Sequence, residues 1–409
     1  MNAASPSSVD VASAVVIPAQ SLVSLFLRFL RFGALAWGGP FAQIAMIRHS
    51  LVDEERWISS EHFNRVLALY QVLPGPEAHE LCVYFGMLAR GRIGGILAGV
   101  AFMLPGFLLM FALSLAYVSL GLDVDGEFAL LFAAIQAAVV ALIVRAVHRI
   151  GSHVLLDKWL WGIALLCAIG HLAGVHFGIL LLGGGLAYLL ARRWPLAAAA
   201  FMVLCATGAT VWWSARPATV QVGLQAVQAV AMGSVSLGAL FWSGLKAGSL
   251  TFGGAYTAIP LLQHDAVTRG AWMSNSQFMD GIALGGLLPA PLIIFSTFVG
   301  YVGGGPLGAI VMTAGIFLPA FAMTLLAHEP LERLVHEPRI RTFLDGLTAA
   351  VVGLIAATAV TLMMTSVRSI LTASIFAAAI SALFIWNNKW IIPIVVAGAA
   401  AAGLANTFV

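Results

Sequence analysis

The chain has 409 residues, of which 61% are hydrophobic and 9% charged, whereas a soluble domain carries about 25% charged residues. Its 20 Lys and Arg against 17 Asp and Glu leave a formal charge of +3 with no basic stripe, which excludes a soluble enzyme and a nucleic-acid partner. With 42 Gly, 16 Pro and a mean hydropathy of +0.99, the composition is that of an all-α polytopic membrane protein, because long apolar segments hide their backbone in lipid as helices.

Residues 1–20 read as an amino-terminal leader: Asp10 is the only charge there, and the basic stretch of a cleavable signal is missing. From Ser21 onward, a ruler of about 20 residues per span marks apolar segments at 21–47, 63–89, 93–120, 128–147, 155–174, 175–191 and 195–213. The 155–191 region also fits one broken element. A second series runs 236–262, 278–302, 306–327, 343–365, 369–386 and 389–406, about 12–13 spans in all. The chain therefore divides into a first transmembrane half, 21–191, a connector, 192–235, holding one span, and a second half, 236–409. Cys82, Cys167 and Cys205 lie inside apolar runs, at neither disulfide nor metal spacings. No nucleotide-binding G-x-x-x-x-G-K-[ST] loop is present, so transport by this chain is not fuelled by ATP on it.

The two halves repeat one another. At an offset of 215, Gly33, Gly38, Gly39, His49, Trp57, Phe63, Leu73, Pro74 and Pro76 fall on Gly248, Gly253, Gly254, His264, Trp272, Phe278, Leu288, Pro289 and Pro291. After one deletion Gly94 and Pro105 match Gly308 and Pro319, and AAVVALI at 137–143 matches AAVVGLI at 349–355. Counting Lys and Arg in the connections places twelve, Arg269 among them, on the amino-terminal side and five, Arg48, Arg56, Arg65, Arg216 and Arg368, on the other. The amino terminus is accordingly expected in the cytoplasm and the protein in the plasma (inner) membrane. The single connector span makes the halves enter the membrane in opposite senses, an inverted-topology repeat with a substrate site near the midplane.

Each half carries the same two helix-breaking devices. The first segment of each contains a glycine cluster, Trp37-Gly38-Gly39-Pro40 and Phe252-Gly253-Gly254-Ala255; the second contains Pro74-Gly75-Pro76 and Pro289-Ala290-Pro291. Proline removes a backbone donor and nearly forbids helix through Pro-x-Pro. The freed N–H and C=O groups cannot face lipid, so they line a protein or water cavity where half-helix N-termini point at an anion. A single such break is more often a packing kink; finding both devices twice at equivalent positions favours a binding site.

The run Phe32-Gly33-x3-Trp37-Gly38-Gly39-Pro40, then Pro74-Gly75-Pro76-Glu77-Ala78 with Tyr84-x-Gly86, resembles the chromate transporter family, whose long members consist of two homologous halves. Thr251-Phe252-Gly253-Gly254 and Phe343-Leu344-Asp345-Gly346-Leu347 are similar to the family's strings as well, and the resemblance covers nearly the whole chain. It implies a secondary transporter that exports chromate, a sulfate-like dianion, and confers chromate resistance, driven by the membrane potential or a proton gradient. Another anion, such as sulfate or a small organic anion, is the alternative substrate, and a homodimer is compatible with the reading. A membrane-embedded enzyme is disfavoured, since no Ser/His/Asp or metal constellation stands out. Half two departs from half one at Ala255 for Pro40 and at Ala290 for Gly75, which implies a less open loop.

Arg31 and Lys246 are partners in the repeat and are candidate anion ligands, because a charge within a span is costly and usually functional. Snorkelling to the headgroups is the competing reading, stronger for Arg31 near its segment's start than for the deeper Lys246. Glu77 and Glu80, with His79 between them, follow the first proline break. A carboxyl group in a poorly hydrated site can carry a proton and couple transport to a proton gradient; alternatively Glu77 caps the following half-helix. No cofactor or metal is called for. Asp53, Glu54, Glu55, Arg56 and Glu61 read as a solvated turn, Trp57 and Trp272 as interfacial anchors, His171 and His176 as loop histidines, and Asp280 and Asp345 as helix caps.

Overall fold

A computed structural model describes residues 20–37, 39–121, 129–214, 235–252, 255–335, 337–386 and 390–407, and every described element is helical. Nearly all of the leader and most of the connector after Ser214 lie outside the described residues, as do Gly38, Gly253 and Gly254. In half one the helices are α1 (Leu22–Ala34), α2 (Gly39–Arg48, continued by a π-helical turn, His49–Glu54), α3 (Ser60–Val72), α4 (Glu77–Ser119), α5 (Ala129–Val154), α6 (Lys158–Leu172) and α7 (Phe177–Arg193). The connector helix is α8 (Pro195–Ser214). Half two holds α9 (Leu237–Ser249), α10 (Ala258–Gln263, with a π-helical turn, His264–Arg269), α11 (Asn275–Gly286), α12 (Phe295–Val335), α13 (Pro338–Ser366), α14 (Ile370–Ile385) and α15 (Ile391–Thr407).

Serine side chains start the matched helices. Ser21 and Ser236 cap α1 and α9, and Ser59 and Ser274 cap α3 and α11, each accepting from the backbone N–H three residues on. The repeat extends to backbone conformation: Arg56 (φ 54°) pairs with Ala271 (φ 50°), and Gly91 with Gly305, both at φ 62°. At those glycines α4 and α12 reverse direction. A Cβ built on Gly86 would lie 2.4 Å from the carbonyl oxygen of Gly94, and one on Gly300 2.4 Å from that of Gly308, so the legs on either side of each glycine turn run back along one another.

The breaks fall where the sequence places them, but the chain turns back at them instead of continuing across. Arg28 of α1 pairs with Glu55 beyond α2, and its guanidinium lies 5.6 Å from the Trp57 ring centroid. Trp57 in turn packs on Phe85, and His62 Nε2 is 2.7 Å from the Tyr84 hydroxyl. The start of α1, the turn after α2, the start of α3 and the end of the first leg of α4 therefore share one level. In half two Val235 N–H donates to the Gly303 carbonyl and Trp272 Nε1 to that of Val299. Segments 21–47 and 63–89, and their counterparts 236–262 and 278–302, are thus four legs-and-tip hairpins that return to the side they left. Hydropathy measures length, not direction, which is why they read as crossings. Two returns leave the parity unchanged, and the halves still enter in opposite senses. Trp57, read as an interfacial anchor, is fully buried beneath this layer.

Among the described residues four helices are long and apolar enough to cross a membrane, at Glu77–Ser119, Leu130–Val154, Leu292–Leu326 and Pro338–Ser366. The halves interlock through them: α5 packs on α14 and α15, and α13 on α6 and α7. Glycine permits the closest approaches. A Cβ on Gly353 of α13 would sit 2.1 Å from the Ala164 carbonyl oxygen of α6, and one on Gly33 or Gly248 2.2 Å from the carbonyl oxygen of Phe102 or Ile316. Gly33→Ala and Gly248→Ala are expected to cost about 1–3 kcal/mol each and lower the melting temperature of the detergent-purified protein. Gly183→Ala, at an open helical position, is the control; equal losses in all three would show that these contacts are not what holds the hairpins.

Candidate functional site

The hairpin tips bring the broken helix ends together. Pro76 and Pro291 precede α4 and the 3-10 turn Leu292–Ile294 that leads into α12, and as prolines in the N-cap position they give neither start a side-chain cap, although at α4 the Glu77 carboxylate itself takes a backbone hydrogen bond. The opening amides of such helices are left for another acceptor. On the glycine tips, α2 starts at Gly39 (φ 79°) followed by Pro40, and a 3-10 turn, Ala255–Thr257, precedes α10. Gln43, 1% exposed, donates from Nε2 to the Ala36 carbonyl at 2.9 Å and thereby ties the first glycine tip to its own helix.

Each tip meets a tip of the other half. Gly75 N–H donates to the Thr251 carbonyl at 2.8 Å, joining the proline tip of half one to the glycine tip of half two. Reciprocally, Gly39 and Pro40 share a cavity of about 30 Å³ with Gly285, Gly286, Ala290 and Tyr256, room for one or two waters. The departure at Ala290 has a packing explanation. A Cβ built on Gly106 would lie 2.4 Å from the Ala290 Cβ, while one on Gly75 would lie 3.1 Å from the Ala320 Cβ. Gly75 and Ala290 are repeat partners, as are Gly106 and Ala320, so each crossing contact consists of one glycine and one alanine with the roles exchanged. Pro74, Gly75, Pro76, Pro289 and Pro291 are all buried.

Glu77, His79 and Glu80 lie buried behind the first proline tip, with exposures of 8%, 0% and 0%. His79 is wedged between Phe317 and Phe321, ring centroids 5.0 and 4.6 Å away. Among the described residues neither ring nitrogen of His79, neither Glu80 carboxylate oxygen nor Glu77 Oε2 has a hydrogen-bond partner. Glu80 rests against the tip itself: a Cβ on Gly75 would come within 2.7 Å of its Oε1. No group of three or more His, Cys, Asp or Glu suited to a metal ion occurs among the described residues.

The two basic residues predicted as anion ligands, Arg31 and Lys246, lie in the last turns of α1 and α9, the legs that lead into the glycine tips. Lys246 Nζ is 2.5 Å from an Asp265 carboxylate oxygen, which also accepts from Ser243, and lies 5.2 Å from the Phe177 ring centroid. Arg31 is exposed, opposite the buried face of α1 formed by Leu25, Phe29 and Phe32. Position 50, the partner of Asp265, is a serine, so the repeat does not reproduce the ion pair. Asp280 was expected as a helix cap; it is instead fully buried and accepts from Tyr117 Oη and Gln136 Nε2, both at 2.8 Å. Gln136 also donates to Ser276 Oγ at 2.7 Å. This network across the halves escapes a sequence reading because its members lie 140 to 163 positions apart; a lone Gln and a lone Asp in apolar runs are the only signals. Asp345 likewise caps nothing, the residue before α13 being Glu337.

No solved structure matches this chain. The sequence model of the chromate transporter family matches residues 23–190 and again 238–404, one match per half. A chromate transport protein of Pseudomonas aeruginosa is 53% identical over 401 residues, 96% of this chain and 94% of the relative. One of Cupriavidus metallidurans is 32% identical over 419 residues, 99% of this chain and 98% of the relative. Two family matches on two structurally matched halves, with full-length relatives, make this chain a member of the chromate transporter family.

Proposed function

We propose that this multi-pass membrane protein is a secondary transporter that moves chromate out of the cytoplasm and thereby confers chromate resistance. The observation that carries the reading is the crossing of the tips, with Gly75 N–H on the Thr251 carbonyl and Gly39 and Pro40 facing Ala290. Helix starts preceded by prolines meet the glycine tips there, and helix N-termini stabilise an anion through their amides and dipoles. The names of the relatives from P. aeruginosa and C. metallidurans supply the substrate. Gly38, Gly253 and Gly254 belong to the same tips by sequence. Arg31 acts at longer range in this proposal, through the field it adds around the tips, whereas the charge of Lys246 is already balanced by Asp265.

Glu77 and Glu80 are the proposed proton carriers. A dianion beside two ionised carboxylates, with no cation in contact, is electrostatically unfavourable, so anion binding draws in a proton. A dianion leaving with one proton still carries one net negative charge outward. An inside-negative membrane contributes about 2.3 kcal/mol per 100 mV to that movement, which favours export. The hairpin returns also sharpen the orientation argument. They bring Arg48, Arg56 and Arg65 to the amino-terminal side and send Arg269 to the other, leaving Arg269 and Arg368 as the basic residues of the far-side connections among the described residues. The positive-inside rule then supports a cytoplasmic amino terminus in the plasma membrane. Sulfate shares the shape and charge that backbone amides recognise and is the second substrate to test.

Expression in a chromate-sensitive bacterium is expected to raise growth and lower cellular chromium; unchanged tolerance with the protein in the membrane would contradict the reading. Gly75→Ala pushes on Glu80 Oε1 and is expected to slow chromate flux about 5- to 150-fold, the equivalent of about 1–3 kcal/mol, in protein that still elutes as a single peak. Glu80→Gln is expected to flatten the pH dependence of flux in vesicles, and a pH profile unchanged from the parent would remove Glu80 from proton coupling.

A further inference from the structure

The repeat makes each feature of half two a reference for half one, and one face breaks the match. On α11, Met279, Asp280 and Ala283 are buried, at 1%, 0% and 1% exposure, where the helix packs on α5 and Asp280 accepts from Gln136. Their partners on α3, at the offset of 215, are Asn64, Arg65 and Ala68, all exposed, and Glu61 and Gln71 extend the same exposed stripe. The Arg65 side chain is 59% exposed and, among the described residues, pairs within its own helix, with Glu61 at 3.1 Å. Gln71 is one turn from the proline tip. An exposed polar stripe running to that depth cannot face lipid, so it borders water reaching the tip from the amino-terminal side.

In half two the stripe is closed against α5 of the other half; the matching surface for α3 is therefore α13. The string AAVVALI after Gln136 matches AAVVGLI after Thr348, so Thr348 stands where Gln136 does. Asp345 is one helical turn before Thr348 on the same face, and both are only half-buried. The mirror image of the contact between Asp280 and Gln136 thus places Arg65 against Thr348 and Asp345, a cation against an anion. Glu61, the partner of Ser276, takes the place of the second acceptor for Thr348.

We propose that Arg65 and Asp345 form the gate on the amino-terminal side: α3 docks on the start of α13, Arg65 pairs with Asp345 beside Thr348, and the water path to the tips closes. The structure holds this gate open and its counterpart on the far side, made of Tyr117, Gln136, Ser276 and Asp280, closed. Exchange of the two arrangements between pseudo-symmetric halves moves the tips from one compartment to the other. The far-side lock is built from neutral donors on a buried carboxylate, while the near-side lock is an ion pair formed from exposed Arg65 and half-buried Asp345. The proposal rests on the carrier reading but not on the identity of the anion.

The test uses full-length protein in proteoliposomes. Arg65→Asp and Asp345→Arg alone are each expected to slow chromate flux at least fivefold, and the double variant to recover at least half of the parent rate; a double variant no faster than the slower single one would overturn the pairing. Independently, in protein with Cys82, Cys167 and Cys205 replaced by Ser, Ala68→Cys with Thr348→Cys is expected to cross-link through a short dithiol reagent. That cross-link should block labelling of a third cysteine, Gln71→Cys, from the amino-terminal side. Failure to cross-link in a protein that still transports would overturn the gate. Cross-linking and protection in a protein that moves no chromate would support the gate while removing the chromate reading.

Discussion

A helix that breaks inside a membrane leaves amides and carbonyls that lipid cannot satisfy, and the arrangement of this protein follows from where those groups find partners. Each of the four breaks is at the tip of a hairpin, and the tips are answered by tips of the opposite half. The bond from Gly75 N–H to the Thr251 carbonyl is the clearest instance, since it pairs a donor and an acceptor that would otherwise be orphaned in separate halves. The same constraint excludes bulk at the crossing, so Gly75 faces Ala320 and Ala290 faces Gly106. A membrane-buried crossing made largely of backbone is then a consequence of the fold, and it is the place to which the proposed function assigns the anion.

Much of this was legible from the chain alone because the breaks are written in residues with one physical meaning. Pro-x-Pro and Gly-Gly recur at one offset, and paired recurrence identifies both the tips and the two halves. The turns at Gly91 and Gly305 were legible too, as the short gaps between neighbouring apolar segments. The return of the chain at each tip was not, since a segment that crosses and one that folds back have the same length and hydropathy. What reveals the return is a set of contacts between distant positions, such as Arg28 with Glu55 and Val235 with Gly303.

The polar residues divide along the same line. Glu77 and Glu80 are adjacent to a break, so their burial follows from the break. Lys246 sits in an apolar run, and its neutralisation by Asp265 depends on the hairpin bringing the π-helical turn back beside α9. Asp280 was misread as a cap because its donors, Tyr117 and Gln136, come from the other half. In each case a residue whose role is set by its neighbours in sequence was readable, and one whose role is set by a tertiary partner was not. The asymmetry between α3 and α11 belongs to a third kind: it requires the repeat from the sequence and the exposure from the structure, and neither alone displays it.

All of this depends on the halves being inverted, with their hairpins opening to opposite sides of the membrane. Arg92 and Pro306 are repeat partners at the two glycine turns and both are exposed, so they report directly on that relation. Single cysteines at these positions, in protein otherwise free of cysteine, can be labelled with a membrane-impermeant maleimide in right-side-out and inside-out vesicles. Labelling of the two from opposite sides is the result that inverted halves require. Labelling of both from the same side would contradict them, and with them the crossing of the tips.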